Sequence, residues 1–437
     1  MNSGLIKVLE GLTLAIPIAG AAVIRFFPNS RPLPRRFFSL LFLIPMGTDL
    51  LSIGLFRVQP DPARFLPQIF ALVLLLAVLF SCYLIFRFEI EQIVSRGALG
   101  FLLLFFSSGF LLSRNLALAL CFWLGILATA YLIFRAFYGP RPVGNLPFTG
   151  PLLFSGILFS LDLLPAGRWI SPLAFLLFMP FFPFQRWMSF TPRSGAATVW
   201  IACRVVLFAL SAWGIYRWCP LSFLATEKNL DVFLGLCALA QIQGALLAMG
   251  ESVARKRISA AIFSQMALCT PLILLALPGH PGRAAVLVFS LVFPSLALGV
   301  LADHLEHETQ RQNLGDMGGL FRDMPRADIL FFLFILALSA MPGSGLFSGV
   351  LGSDFSAVGD FLWVWAIASI AGVVLLQWAL WAAWEQIFLG PPKNTALPVS
   401  DVSAGLAASL VLAFIPLILL GIWPGILGSI LSTAGGL

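Results

Sequence analysis

Residues 314–352 read LGDMGGLFRDMPRADILFFLFILALSAMPGSGLFSGVLG. The stretch opens polar, turns apolar at Ile329 and stays so almost to its end. One interruption, Met341-Pro342-Gly343-Ser344-Gly345, falls inside the apolar run 328–350. A bilayer core asks for about 20 apolar residues per helix, which this run supplies. Proline and glycine free backbone groups that hydrocarbon cannot satisfy, so a break persists only where protein or a water-filled cavity covers it. A second interrupted run, 170–184, carries Pro180 and Pro183. Broken helices paired between two halves of a chain point to inverted repeats around a midplane site, against the plainer reading of proline kinks in ordinary membrane helices.

Working outward, the whole chain has the same character. Its 437 residues are 60% apolar and 10% charged, with a mean hydropathy of +0.98. Soluble domains carry about 25% charged residues, so a water-soluble enzyme is excluded. The apolar runs are continuous rather than alternating over about ten residues, which excludes a transmembrane β-barrel. About fourteen runs are long enough to count as spans: 4–24, 38–57, 66–86, 97–113, 116–135, 149–165, 170–184, 197–217, 230–250, 258–278, 284–303, 328–350, 360–388 and 404–426. The predicted fold is an all-α polytopic membrane protein of about fourteen transmembrane helices. Arg and Lys divide unevenly between alternate loops, seventeen on the side that begins with 25–37 and eight on the other. The arginine-rich side is expected to face the cytoplasm, with both termini on the opposite side.

The formal net charge of +7 reflects that loop bias and is not read as nucleic-acid binding. The six cysteines are scattered with no CxxC pair, which argues against a metal or redox centre. No basic leader with a cleavage site is evident at the start. The stretch 304–327 is expected as a loop or short interfacial helix; His304 and His307 lie within it, at helical spacing but too few for a metal site. GDMGG at 315–319 lacks the Lys-Ser/Thr of a phosphate loop.

Several stretches resemble the antiporter-like subunits of respiratory complex I and of Mrp-type cation/proton antiporters. AFLLFMPFFPFQRWMSFTPRSGAATVW (174–200) is similar to their broken-helix motif, and LSAWGIYRW (210–218) to the helix end that follows. RKRISAAIFSQM (255–266) resembles a helix start of the family. The fullest likeness is that of 314–352, and EQIFLGPP (385–392) and LLGIWPGIL (419–427) match the ends of the last core helices. Within the family the resemblance is to the complex I subunit called M or 4, with kin in membrane-bound hydrogenases and inorganic-carbon uptake complexes. It implies N-terminal helices at 1–96, two inverted five-helix repeats at 97–217 and 218–388, and a C-terminal helix at 389–437.

The resemblance also implies a midplane relay of ionisable residues that moves protons. Carried over by motif, the relay glutamate falls on Leu124, after Cys121-Phe122-Trp123. The broken-helix lysine falls on Phe178 and the next helix's lysine on Ala209, while the second-half histidine and lysine fall on Leu287 and Leu291. None of these side chains binds a proton. The expectation is a degenerate member that keeps the scaffold and has lost the family's proton path.

Ionisable residues that remain in or beside the spans are candidates for an altered path: Asp49, Asp162, Arg204, Glu251 and Glu385. Static ion pairs or interhelical hydrogen bonds are the alternative. No cofactor and no metal are expected. The resemblance implies a multisubunit energy-converting complex in a prokaryotic cytoplasmic (inner) membrane. Its other antiporter-like membrane subunits, a peripheral soluble subunit and lipids would be the partners. An independent secondary transporter is the alternative.

Overall fold

A computed structural model of the chain describes residues 93–138, 146–163, 171–180, 197–219, 227–279, 281–351, 361–392 and 399–423, together with Ala15 and Ala19. Asp49, Pro183 and the expected spans 38–57 and 66–86 lie outside the described residues. The described chain forms twelve α-helices and no strand: α1 (Ile93–Leu112), α2 (Leu116–Tyr138), α3 (Leu146–Ser160), α4 (Ser171–Leu176), α5 (Ala197–Trp218), α6 (Glu227–Gly250), α7 (Ala254–Gly279), α8 (Pro281–Thr309), α9 (Pro325–Leu338), α10 (Gly345–Leu351), α11 (Phe361–Trp384) and α12 (Ala404–Ile422). Seven candidate spans among the described residues are long and apolar enough to cross a membrane. They fall on the runs read from the sequence at 116–135, 197–217, 230–250, 258–278, 284–303, 360–388 and 404–426. The protein is therefore a polytopic helical membrane protein.

Contacts divide the chain into two compact units. The first comprises Met1–Phe178, Val206–Pro220 and Ser429–Leu437; the second comprises Met179–Val205 and Leu221–Gly428. Helix α5 runs from one into the other at Val205–Val206.

In the first unit, α1 and α2 form a tight pair. Asn115 Oδ1 accepts from the Ala117 amide at 3.1 Å, satisfying one of the orphan donors at the start of α2. Helix α4 lasts six residues. It closes with the Phe178 amide donating to the Phe175 carbonyl at 3.0 Å, and the chain then reaches the buried Pro180. The helix therefore ends just before a proline, which can neither donate nor continue the turn; the rest of the expected run, 181–184, lies outside the described residues.

In the second unit, α6 and α7 make a helical hairpin whose corner is held by Arg257. Its Nε donates to the Glu251 carbonyl at 2.8 Å and so caps the end of α6. Helix α8 continues to Thr309, six residues into the stretch expected as a loop or short interfacial helix. The extension follows from Leu305, which is fully buried, and from Glu306, which finds a buried cation described below.

The second break separates α9 from α10. Ala340 and Gly343 take positive φ of 53° and 92°. Gly343 bears that conformation without a Cβ penalty, whereas Ala340 is strained by about 1–2 kcal/mol. Met341, Pro342 and Gly343 are exposed, and Ser344 and Gly345 are buried. At its far end α11 loosens into a π-helical turn, Glu385–Leu389. There the Ile387 and Phe388 carbonyls accept from the Leu320 and Phe321 amides at 3.4 and 3.3 Å, so the freed carbonyls are paired.

Candidate functional site

The relay positions read from the sequence divide between the units. In the first unit Phe178 is fully buried in a cluster of aromatic rings. The Trp123 ring centroid lies 5.8 Å from that of Phe178, 4.9 Å from Phe175 and 5.1 Å from Phe110. Phe159 stands 4.8 Å from Phe175. These are edge-to-face and tilted packings, the favourable geometries for stacked quadrupoles. The one polar handle, the Trp123 indole, donates to Ser155 Oγ at 3.0 Å. Ala209 on α5 is also buried, and a side chain at Gly214, five residues on, would run into the Phe175 ring. Leu124 differs. It is 44% exposed, on the outer side of α2 against Gly156, while its neighbour Trp123 points inward. Asp162, in the turn after α3, is buried.

In the second unit Leu287 and Leu291 are both fully buried on α8. A side chain at Gly349 would meet the Leu287 methyl at 2.7 Å, and one at Gly345 would collide with Ser290 Oγ. The helix α10 therefore rests directly on the face of α8 that carries Leu287 and Leu291, where the resemblance would place the second-half histidine and lysine. Close approach of this kind needs small residues, which Gly345 and Gly349 provide.

Arg204 is fully buried, and its Nη2 donates to the Ser259 carbonyl on α7 at 3.3 Å. Neutral polar groups tie α6, α7 and α11 together. Gln241 Nε2 donates to the Ser369 carbonyl at 2.9 Å, and Ser264 Oγ donates to the Gln241 carbonyl at 2.8 Å. Gln265, the next residue on α7, is fully buried, and neither of its amide atoms finds a partner among the described residues.

Glu251 is half-buried at the end of α6, its Oε2 4.0 Å from Lys256 Nζ. Glu385 is exposed in the π-helical turn. Among the described residues no group of His, Cys, Asp and Glu could hold a metal ion.

Sequence reasoning missed two charged pairings. Arg255 Nη1 lies 2.6 Å from Glu306 Oε2, with side chains 3% and 8% exposed, and Arg255 Nη2 also donates to Gln312 Oε1 at 3.2 Å. Asp303 Oδ2 accepts from the Thr198 amide at 2.8 Å and from Thr198 Oγ1 at 2.5 Å, so α8 supplies the cap for α5. Fifty-one residues separate the first pair and 105 the second, distances no local pattern bridges.

The described residues form a multi-span helical bundle in which the short helix α10, after the break at Pro342, is seated on the buried helix α8. A family model described as NADH:quinone oxidoreductase/Mrp antiporter, transmembrane, matches residues 69–376. The chain belongs to that family. It is 23% identical over 296 residues to NADH-quinone oxidoreductase subunit M of Rhodobacter capsulatus, covering 67% of this chain and 56% of that one. It is 25% identical over 300 residues to NADH-quinone oxidoreductase subunit 13 of Thermus thermophilus, covering 65% of this chain and 63% of that one. The chain thus spans less than two thirds of either relative.

Among solved structures, a chain of the respiratory complex I of Thermus thermophilus with bound NADH superposes with a TM-score of 0.69 at 18% identity, covering 97% of this chain and 98% of that chain. A chain of the Mrp complex of a Dietzia species gives 0.72 at 16% identity, covering 98% and 97%. A chain of the archaeal membrane-bound sulfane sulfur reductase gives 0.77 at 15% identity, covering 96% and 77%. At these identities the likeness is one of fold.

Proposed function

We propose that this chain is an antiporter-like membrane subunit of a multisubunit energy-converting complex, and that it does not pump protons by the family's route. One observation carries the reading: Phe178, Ala209, Leu287 and Leu291 are apolar and at most 1% exposed. Phe178 packs on Trp123 with ring centroids 5.8 Å apart, an apolar filling of that position that supports the reading. Burying a charge at the bilayer centre costs about 2.5–3.5 kcal/mol, and a subunit retained for shape has no use for that expense.

On this reading the full bundle has about fourteen helices, in two inverted repeats at 97–217 and 218–388, with the broken helices at the bilayer midplane. Both termini face away from the cytoplasm in a prokaryotic inner membrane. The partners are further antiporter-like subunits, a peripheral soluble subunit and lipids. Asp49, Asp162, Arg204, Glu251 and Glu385 are the groups left for any altered ion route; Arg204 has the interior placement that role requires.

The test has two arms. In mild detergent the chain should co-purify with different membrane chains, identified by mass spectrometry. Purification alone or as a homo-oligomer overturns the subunit reading in favour of an independent secondary transporter. In sealed vesicles of the assembled complex, Asp49→Asn and Arg204→Gln should leave coupled ion transport per assembled complex unchanged. Lost transport with an intact assembly overturns the scaffold role and assigns a local ion path.

A further inference from the structure

The outer face of α6 carries a cavity of about 600 Å³, within the size range of small-ligand sites. Leu239, Ile242, Leu246, Leu247, Gly250 and Glu251 line it, with Gln243 partway along. From Leu239 to Glu251 the helix rises about 18 Å, close to one leaflet of a hydrocarbon core about 30 Å thick. The groove therefore runs from the middle of the candidate span Asn229–Gly250 to its end, where a spanning helix would reach the membrane surface. It is apolar along its length and charged at its mouth.

That mouth is built, not merely exposed. Arg257 fixes the last turn of α6 through the Glu251 and Met249 carbonyls, at 2.8 and 3.5 Å. Glu251 and Lys256 then present one negative and one positive side chain, 35% and 44% exposed, separated by 4.0 Å. At that separation they interact weakly, and each keeps hydrogen-bonding capacity for a second partner. A carboxylate and an ammonium side by side complement a headgroup carrying an ammonium and a phosphate in the opposite order.

The neighbouring helix identifies the surroundings. Helix α11 packs on α6 with Gly372 against the Gln241 side chain. It exposes Trp363, Ile367, Ile370, Val374, Trp378 and Trp381 in one helical stripe. Trp363 and Trp381 stand eighteen residues apart, about 27 Å along the axis, the spacing of the two aromatic belts of a bilayer. A face bounded by such belts is a lipid face.

We infer that the α6 groove is a binding site for a zwitterionic aminophospholipid, one acyl chain lying along Leu239–Leu247, the ammonium on Glu251 and the phosphate on Lys256. The inference rests on membrane placement alone and is independent of whether any ion crosses the subunit.

The experiment places a photoreactive benzophenone side chain at Leu246 in the full chain with its co-purifying partners. The sample is reconstituted in nanodiscs of equal parts phosphatidylethanolamine, phosphatidylcholine and phosphatidylglycerol. Crosslinked lipid should be enriched about threefold in phosphatidylethanolamine over the bulk, the discrimination one half-exposed ion pair provides. Lys256→Gln and Glu251→Gln should each abolish the enrichment while Lys256→Arg retains it, with unchanged thermal unfolding in all three. Crosslinking to a polypeptide would overturn the proposal by assigning the groove to a partner subunit. Bulk lipid composition would leave no headgroup site, and phosphatidylglycerol enrichment would replace it with simple attraction of anions to the basic corner.

Discussion

Replacing Arg255 by Met tests the reasoning that a charge buried in this fold is held only by its partner. The guanidinium donates to Glu306 at 2.6 Å and to Gln312 at 3.2 Å, and neither charged side chain is more than 8% exposed. Solvent screening is therefore slight, and the pair is not a surface bridge worth a few tenths of a kcal/mol. Removing the cation leaves the Glu306 carboxylate enclosed with no counter-charge in reach of a hydrogen bond. Breaking a buried pair on one side costs about 3–5 kcal/mol, a factor of at least 100 in the unfolding equilibrium. The double change Arg255→Met and Glu306→Leu removes both charges, and should return stability to within about 1 kcal/mol of the parent. The assay is reversible unfolding in mixed micelles with added SDS, followed by far-ultraviolet circular dichroism, for parent, both single variants and the double variant. If Arg255→Met alone falls within about 0.5 kcal/mol of the parent, or the double variant loses the sum of the singles, the carboxylate is solvated and the reasoning fails.

Three further outcomes use the same assay. Gln265→Met should stabilise the chain by about 1–3 kcal/mol, because an amide without partners in a dry interior is exchanged for a side chain that needs none; destabilisation would mean that the amide is hydrated or bound. Gly343→Ala should cost about 1–2 kcal/mol through φ of 92° alone, since nothing lies within 4 Å of the added carbon; no loss would mean the break relaxes freely. Ser155→Ala should cost about 1 kcal/mol by stranding the Trp123 indole, and the paired change Trp123→Phe and Ser155→Ala should show that the loss belongs to the hydrogen bond.

What was legible in the sequence follows from what a bilayer demands. Long continuous apolar runs leave no alternative to helices, so the spans at 116–135, 197–217, 230–250, 258–278, 284–303, 360–388 and 404–426 could be read directly. Prolines announced the helix end before Pro180 and the break at Pro342. The charged stretch after Asp303 was harder, because His304, Glu306 and Glu308 look like a solvated loop until Arg255 is brought beside Glu306 by the α6–α7 hairpin. The π-helical turn at Glu385–Leu389 has no local signal either; it depends on the 317–324 loop supplying amides to its carbonyls. Position by motif also fixes a residue's place along a helix but not its rotation. Leu124 was found by its neighbours Phe122 and Trp123, yet only packing decided that Trp123 turns inward while Leu124 turns largely out.

The two interiors follow different chemistry, and the difference bears on how such a chain could lose a relay and keep its fold. The first unit closes its interior with Phe110, Trp123, Phe159, Phe175 and Phe178, side chains that gain from mutual packing and ask for no counter-charge. The second joins α6, α7 and α11 through Gln241, Ser264 and Ser369, neutral groups whose interhelical bonds contribute about 0.6 kcal/mol each in lipid. Neither solution carries a proton, since no member of either set changes charge at accessible pH. Both avoid the problem that buried charges would create, because uncharged side chains need neither a counter-charge nor water. On the proposed reading, loss of the relay is thus not a defect the fold must tolerate. It is a change the packing favours once transport through the subunit is no longer selected, and the charges that persist are then informative. Arg204 stays buried with its guanidinium on the Ser259 carbonyl, and Arg255 with Glu306 holds the end of α8. If both serve only to join helices, neutral replacements that preserve packing will leave assembly and transport intact. If Arg204 alone fails that test, it marks a route through this subunit that the apolar positions Phe178, Ala209, Leu287 and Leu291 do not account for.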